Sequence, residues 1–231
     1  LNKEKTNTFN SLKEFVESKT IDSKNKKFDF SGGSVSLNKE VSSENIKLDF
    51  IDQGQFNSLN CLAFTGDEIS FWQIREFKEL TNLELLIIGD PLVESLGSSS
   101  NNRSEEKWSL LGKMIRAMGI FSNKCAFLTS AVKDESGKLN RMNLFAQIYT
   151  LAPKVIICLG SNSLELLIGS KSIMSKNHGR FIEKEIELEQ KGILKVNIVP
   201  IFHPEYLLIN PKMKKTTWED LKRIVDFIKL N

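Results

Sequence analysis

Short, continuous apolar runs recur along the chain, separated by stretches whose apolar residues fall at helical spacing. Leu83 to Ile88, ended by Gly89, is the first run; "CAFLTSAV" from Cys125, "KVIICLG" from Lys154 and "ILKVNIVPIF" from Ile193 follow. Apolar runs of this length without polar alternation predict strands buried on both faces. Helical spacing is found in "FWQIREFKEL", in "WSLLGKMIRAMGI" with Gly119 near its end, and in "LNRMNLFAQIYTLAP", which ends near Pro153. It returns in "SNSLELLIG", with Ser161 or Asn162 as cap, and in "TTWEDLKRIVDFIKL", with Thr216 or Thr217 as cap. Strands alternating with helices predict a doubly wound α/β domain: a three-layer α/β/α sandwich around a mostly parallel, four-stranded central sheet. No internal repeat is present.

Residues 1 to 60 lack this rhythm. "SLKEFVESK" has helical spacing, "SKNKK" and "SGGS" read as loops, and "IKLDFI" reads as a strand. The division expected is a partly peripheral N-terminal extension over 1–60, available to a protein partner, and one globular domain over 61–231. Within that domain "LVESLGSSSNNRSEEK" is a long polar segment. Its Ser98 to Asn102 portion reads either as a surface loop or, because it follows a strand exit, as a loop that closes over a ligand.

Composition narrows the picture modestly. The 231 residues are 40% hydrophobic and 26% charged, enough for one sizeable core. A net charge of +3 permits a polyanionic partner without demanding one. The three cysteines, Cys61, Cys125 and Cys158, show neither paired nor metal-ligand spacing and read as buried thiols in a reducing compartment. No stretch approaches the roughly 18 apolar residues of a membrane span. A cytoplasmic monomer is expected, nucleoid-associated in a bacterial cell; because the chain starts at Leu1, a removed leader stays open.

In doubly wound sheets ligands gather beyond the carboxyl ends of the strands. The exits here are Gly89-Asp90-Pro91, Thr129-Ser130-Ala131, Leu159-Gly160-Ser161 and Phe202-His203-Pro204. Asp90 reads as a base or a stabiliser of a cation, or as a turn residue with Pro91. Ser130 offers one hydroxyl to a base edge or phosphate, or serves a turn. Gly160 to Ser163 opens a helix, so its amides either hold a phosphate or are merely capped. His203, one of only two histidines, heads "HPEYLLINP". The other, His178 in "SKNHGRF", reads as a loop residue; with no third histidine and no nearby cysteine, no metal site is expected.

"HPEYLLINPKMKKTTWEDLKRI", "QIYTLAPKVIICLGSNSLELLIG" and "LLGKMIRAMGI" together resemble the uracil-DNA glycosylase superfamily, most closely its family 4 type, from Leu83 to Ile228. The resemblance implies a protein that flips uracil or a related damaged base out of single- or double-stranded DNA and hydrolyses its N-glycosidic bond, in base excision repair. It implies Asp90 and His203 as catalytic residues, with His203 donating to a uracil oxygen as negative charge develops. Gly89, Pro91, Ser130 and Pro204 would contact the substrate. Arg103, Ser161, Tyr206, Leu207 and Lys212 would contact DNA, with Lys214 and Lys215 also near phosphates.

The chain also departs from the family's pattern. Where the family has Gly-Glu-Ala-Pro-Gly, this sequence has Gly89-Asp90-Pro91-Leu92-Val93; where it has a stacking aromatic, ungapped counting reaches Arg103. Ser130 stands in place of an amide that reads uracil. Asp134 stands where a cluster-ligating cysteine is expected, so no iron–sulfur cluster and no other cofactor is implied. Two functions follow from these features: a divergent DNA glycosylase, or a catalytically inactive DNA- or protein-binding module on the same fold.

Overall fold

The computed structural model describes residues 46–48, 60–66, 71–80, 82–90, 102–120, 124–130, 141–169, 172–189 and 191–231, with backbone alone at 60 and 102–105. The strands are β1 (Ile46–Leu48), β2 (Asn60–Phe64), β3 (Trp72–Glu76), β4 (Leu85–Gly89), β5 (Cys125–Thr129), β6 (Val155–Leu159), β7 (Ile182–Leu188) and β8 (Gly192–Ile201). The helices are α1 (Asn102–Ala117), α2 (Arg141–Leu151), α3 (Gly160–Ile168), α4 (Met174–Asn177), α5 (Pro204–Ile209) and α6 (Met213–Leu230).

All the strands join one sheet in the order β1-β7-β8-β6-β4-β5-β2-β3. Its centre, β8-β6-β4-β5, is parallel and consists of the four apolar runs. β4 and β6 are buried at every position, as expected of parallel strands covered on both faces. The expected sheet of four strands is therefore only the middle of one of eight. β7 pairs antiparallel with β8, β2 pairs antiparallel with β5 and β3, and β1 runs parallel to β7 at the far edge. Ile46–Leu48, from the N-terminal extension, supplies that edge; the rest of 1–59 and the Ser98 to Asn101 portion of the polar loop lie outside the described residues.

β7 carries a signal distinct from the central strands. Ile182, Lys184, Ile186 and Leu188 alternate with Glu183, Glu185 and Glu187, the period of two of a half-exposed strand, and Lys191-Gly192 turns the chain into β8. "FWQIREFKEL" is the opposite case. Its helix-like spacing gives β3 and a single 3-10 turn over Phe77–Glu79, because β2 pairs with it and Trp72 packs edge-on against Phe64, Trp108 and Phe127. Tertiary pairing overrides local spacing in such short runs.

Helices cover both faces. Phe127 of β5 and Lys184 of β7 point to opposite sides of the ladder. Trp108 of α1 packs on the first at 5.1 Å between ring centroids, and Phe145 of α2 lies under the second, 5.4 Å from its ammonium. The three-layer α/β/α arrangement follows. Cys61, Cys125 and Cys158 are buried free thiols; desolvation, aided by Glu79, pushes Cys61 up to about 12, and burial raises the other two.

Helix starts differ from the expected caps. α6 begins at Met213, so Thr217 lies inside it and donates back to the Met213 carbonyl at 2.9 Å. α3 begins at Gly160, which puts Ser161 and Asn162 in its first turn. α1 begins at Asn102, well before Trp108. His178 follows α4 in a turn, as its sequence suggests, but is not idle: its Nδ1 meets buried Asp220 of α6 at 2.8 Å, and Arg223 pairs with the other carboxylate oxygen.

Ile157, at the centre of β6, is 1% exposed between β4 and β8. Ile157→Ala should cost about 2–5 kcal/mol, read as a lower denaturant midpoint at unchanged slope; a loss well under that range would contradict the packing described.

Candidate active site

Three of the four strand exits converge on Asp90. It follows Gly89, whose Cα leaves little room for a side chain: a Cβ there would lie 3.2 Å from the Phe127 ring and 3.3 Å from Leu159 Cβ. Ser130, one residue beyond β5, donates its hydroxyl to Asp90 Oδ1 at 2.9 Å. Asn162, in the first turn of α3, donates Nδ2 to Asp90 Oδ2 at 2.8 Å. The partners stand 40 and 72 residues away along the chain. Both carboxylate oxygens are thus held by neutral donors.

His203 occupies the fourth exit, after β8. β8 lies two strand spacings from β4, about 10 Å, with β6 between them. His203 caps α5, and its Nδ1 accepts from the Glu205 amide at 3.3 Å. In the neutral ring a nitrogen that accepts leaves the proton on the other, so Nε2 carries the hydrogen. Nε2 is buried and has no hydrogen-bond partner among the described residues. Burial holds the imidazole below its ordinary range; Glu205 and Asp90 oppose that shift, and Lys107 reinforces it. His203 therefore presents a neutral, desolvated N–H donor within electrostatic reach of the Asp90 carboxylate.

Two contacts fix that donor. Gly160 adopts φ +79°, and a Cβ there would lie 3.3 Å from His203 Cβ. Only glycine takes this left-handed turn without strain and lets the start of α3 approach the histidine. Lys107 of α1 pairs with Glu205 of α5 at 3.0 Å, with Lys107 only 18% exposed, and ties the His203 turn to the helix over the sheet.

The other candidates fall as follows. Ser130 is buried, and its only proton goes to Asp90, so it is spent as a donor to a base edge. Pro204 is the buried first residue of α5. Ser161 and Lys212 are exposed. "HPEYLLI" forms a short helix in place of the loop expected, and its periodicity turns Leu207 fully inward; Tyr206 and Ile209 are the exposed apolar side chains, at 37% and 52%. Lys214 is likewise buried, its pKa lowered by desolvation and by Lys113, which leaves Lys212 and Lys215 as the surface cations. Arg103 lies in α1 with its side chain undescribed, and Pro91, Leu92, Val93 and Asp134 lie outside the described residues. Asn162, Lys107 and Glu205 were not expected at the site. Asn162 read as a cap or as part of a phosphate-holding helix start, and nothing local in the sequence marks a contact 72 residues away. No group of three or more His, Cys, Asp or Glu side chains placed for a metal occurs among the described residues.

The family model for the uracil DNA glycosylase superfamily matches residues 62–222, more than half of the chain.

Replacing Gly160 with alanine should cost about 1–2 kcal/mol for the left-handed backbone alone; a denaturant midpoint equal to the parent's would contradict the geometry. The depressed His203 pKa has a consequence with a definite sign. The unfolded chain takes up this proton near the ordinary 6.5 while the fold resists it. The unfolded state then binds more protons, so stability falls as pH drops below that value. His203→Gln should show a smaller acid-side loss than the parent; identical stability–pH curves would contradict a buried neutral imidazole.

Proposed function

Since the chain belongs to the uracil-DNA glycosylase superfamily, we propose that it is a divergent DNA glycosylase that hydrolyses the N-glycosidic bond of uracil or a related damaged base. The observation that carries the reading is the pairing of opposites at the sheet's carboxyl end. A buried, unpartnered Nε2–H on His203 lies within electrostatic reach of a carboxylate whose oxygens are both fixed.

That pairing suits the reaction. When the bond from C1′ to the base nitrogen breaks, its electron pair leaves with the base, which becomes anionic, and the sugar becomes cationic. The His203 donor matches charge developing on a base carbonyl oxygen, and it does so without giving up its proton. The Asp90 carboxylate matches the cationic sugar and orients the water that adds to C1′; the proton released from that water balances the base anion. The base must leave the stack to be reached, and contacts to the flanking strand offset the unstacking cost. Tyr206 and Ile209 are exposed next to His203 for the gap, and Ser161, Lys212 and Lys215 for phosphates.

One observation favours a second reading, a DNA- or protein-binding module without catalysis. Ser130 gives its proton to Asp90, so the position expected to read the base edge has no donor left.

Alkali-induced strand breaks at the abasic sites left in oligonucleotides carrying a single uracil, hypoxanthine or xanthine separate the two. The glycosylase reading expects product from the parent and losses of about a hundred- to a thousandfold in His203→Ala and in Asp90→Asn. No product from any substrate, with DNA binding intact, supports the module instead.

A further inference from the structure

Asp90 stands at the end of a strand, where a carboxylate on two free torsions would sweep through several orientations. Here it does not, because its oxygens are held from two directions: Ser130 Oγ at 2.9 Å on Oδ1 and Asn162 Nδ2 at 2.8 Å on Oδ2. Ser130 is buried, 6% exposed, whereas Asn162 sits in the exposed first turn of α3. A carboxylate only accepts, so the Asn162 amide must present its nitrogen, and the amide orientation is fixed by chemistry. The helix start that delivers Asn162 is set by the left-handed Gly160 packed against His203. One turn of backbone therefore indexes the two charge-matching groups to each other.

We propose that Asn162 is a positioning residue for Asp90: with Ser130 it fixes the plane of the carboxylate and aims its charge at the cationic sugar of the reaction proposed above. The inference rests on that reading and adds a residue to it. Asn162 acts through Asp90 and touches no reacting atom. Its side chain contributes a neutral donor, so the isosteric Asn162→Asp removes the donor and sets a second negative charge against the first. A purely structural amide tolerates that isostere better than truncation; a positioning donor tolerates it worse.

The test measures, for the full chain, single-turnover cleavage of uracil-containing DNA together with binding of two abasic-site analogues. One is a protonated pyrrolidine that mimics the cationic sugar; the other is a neutral tetrahydrofuran. The parent should prefer the cationic analogue. Asn162→Ala should lower the cleavage rate about tenfold or more and shrink the cationic preference toward that of Asp90→Asn, while affinity for the neutral analogue stays within about twofold of the parent's. Asn162→Asp should lose more of the rate, and Ser130→Ala, acting on the other oxygen, should show the same signature as Asn162→Ala. In an Asp90→Asn background the effect of Asn162→Ala should vanish. Equal losses with and without Asp90, or a parent-like rate and preference in Asn162→Ala and Asn162→Asp, would overturn the positioning role and leave the glycosylase reading standing. A parent that cleaves nothing and does not distinguish the two analogues would overturn both.

Discussion

Parallel pairing of β4, β6 and β8 aligns the carboxyl ends of three strands, and the candidate chemistry begins one residue beyond them. Asp90 and Gly160 each follow a strand end directly, and His203 stands two residues beyond the end of β8. The alignment is held because β4 and β6 are buried at every position and β8 over its last four residues, and slipping any one by a residue would turn its core side chains out of the layer they fill. No local feature near His203 would bring it close to Asp90; the register does. Close approach at this end then requires small residues. Gly89 leaves space beside Phe127 and Leu159, and Gly160 leaves space beside His203.

Two groups with opposite requirements coexist there. The imidazole stays neutral through burial, although Glu205 and Asp90 both pull toward protonation, with Lys107 on the other side of the balance. The carboxylate is served by donors that carry no charge, which hold it without quenching its field. A cation in place of Ser130 or Asn162 would neutralise Asp90 and, in the proposed reaction, remove the attraction to the sugar. The Lys107–Glu205 pair, whose two charges act on the ring in opposite senses, also steadies α5, so the His203 turn is braced from both α1 and α3.

Much of this architecture was legible in the sequence, and what escaped has identifiable causes. The four apolar runs gave the parallel centre because burial on both faces leaves a continuous hydrophobic signature. "IKLDFI" marked β1, whereas β2 left no reading and β3 was misread as helical: β3 is a short edge strand that owes its form to pairing with β2 and to the Trp72 contacts. β7 was marked by alternating Ile and Glu, a pattern passed over among longer apolar runs. At the site, the strand exits located Asp90, Ser130 and His203. The bond from Asn162 to Asp90 spans 72 residues and left no local trace, and the inward turn of Leu207 depends on α5 being a helix where a loop was expected. Membership of the superfamily extends over residues 62–222 and carries the fold; the particular donors around Asp90 are features of this chain's own side chains.

The account depends most on the state of one ring, since the donor described for the departing base is a neutral imidazole that carries its hydrogen on Nε2. The chain has only two histidines, so nitrogen-15 NMR of the imidazoles, assigned with His178→Asn, reads that state directly. At neutral pH the His203 ring should be uncharged with the proton on Nε2 and Nδ1 unprotonated. A charged ring, or a neutral one protonated at Nδ1, would contradict the account.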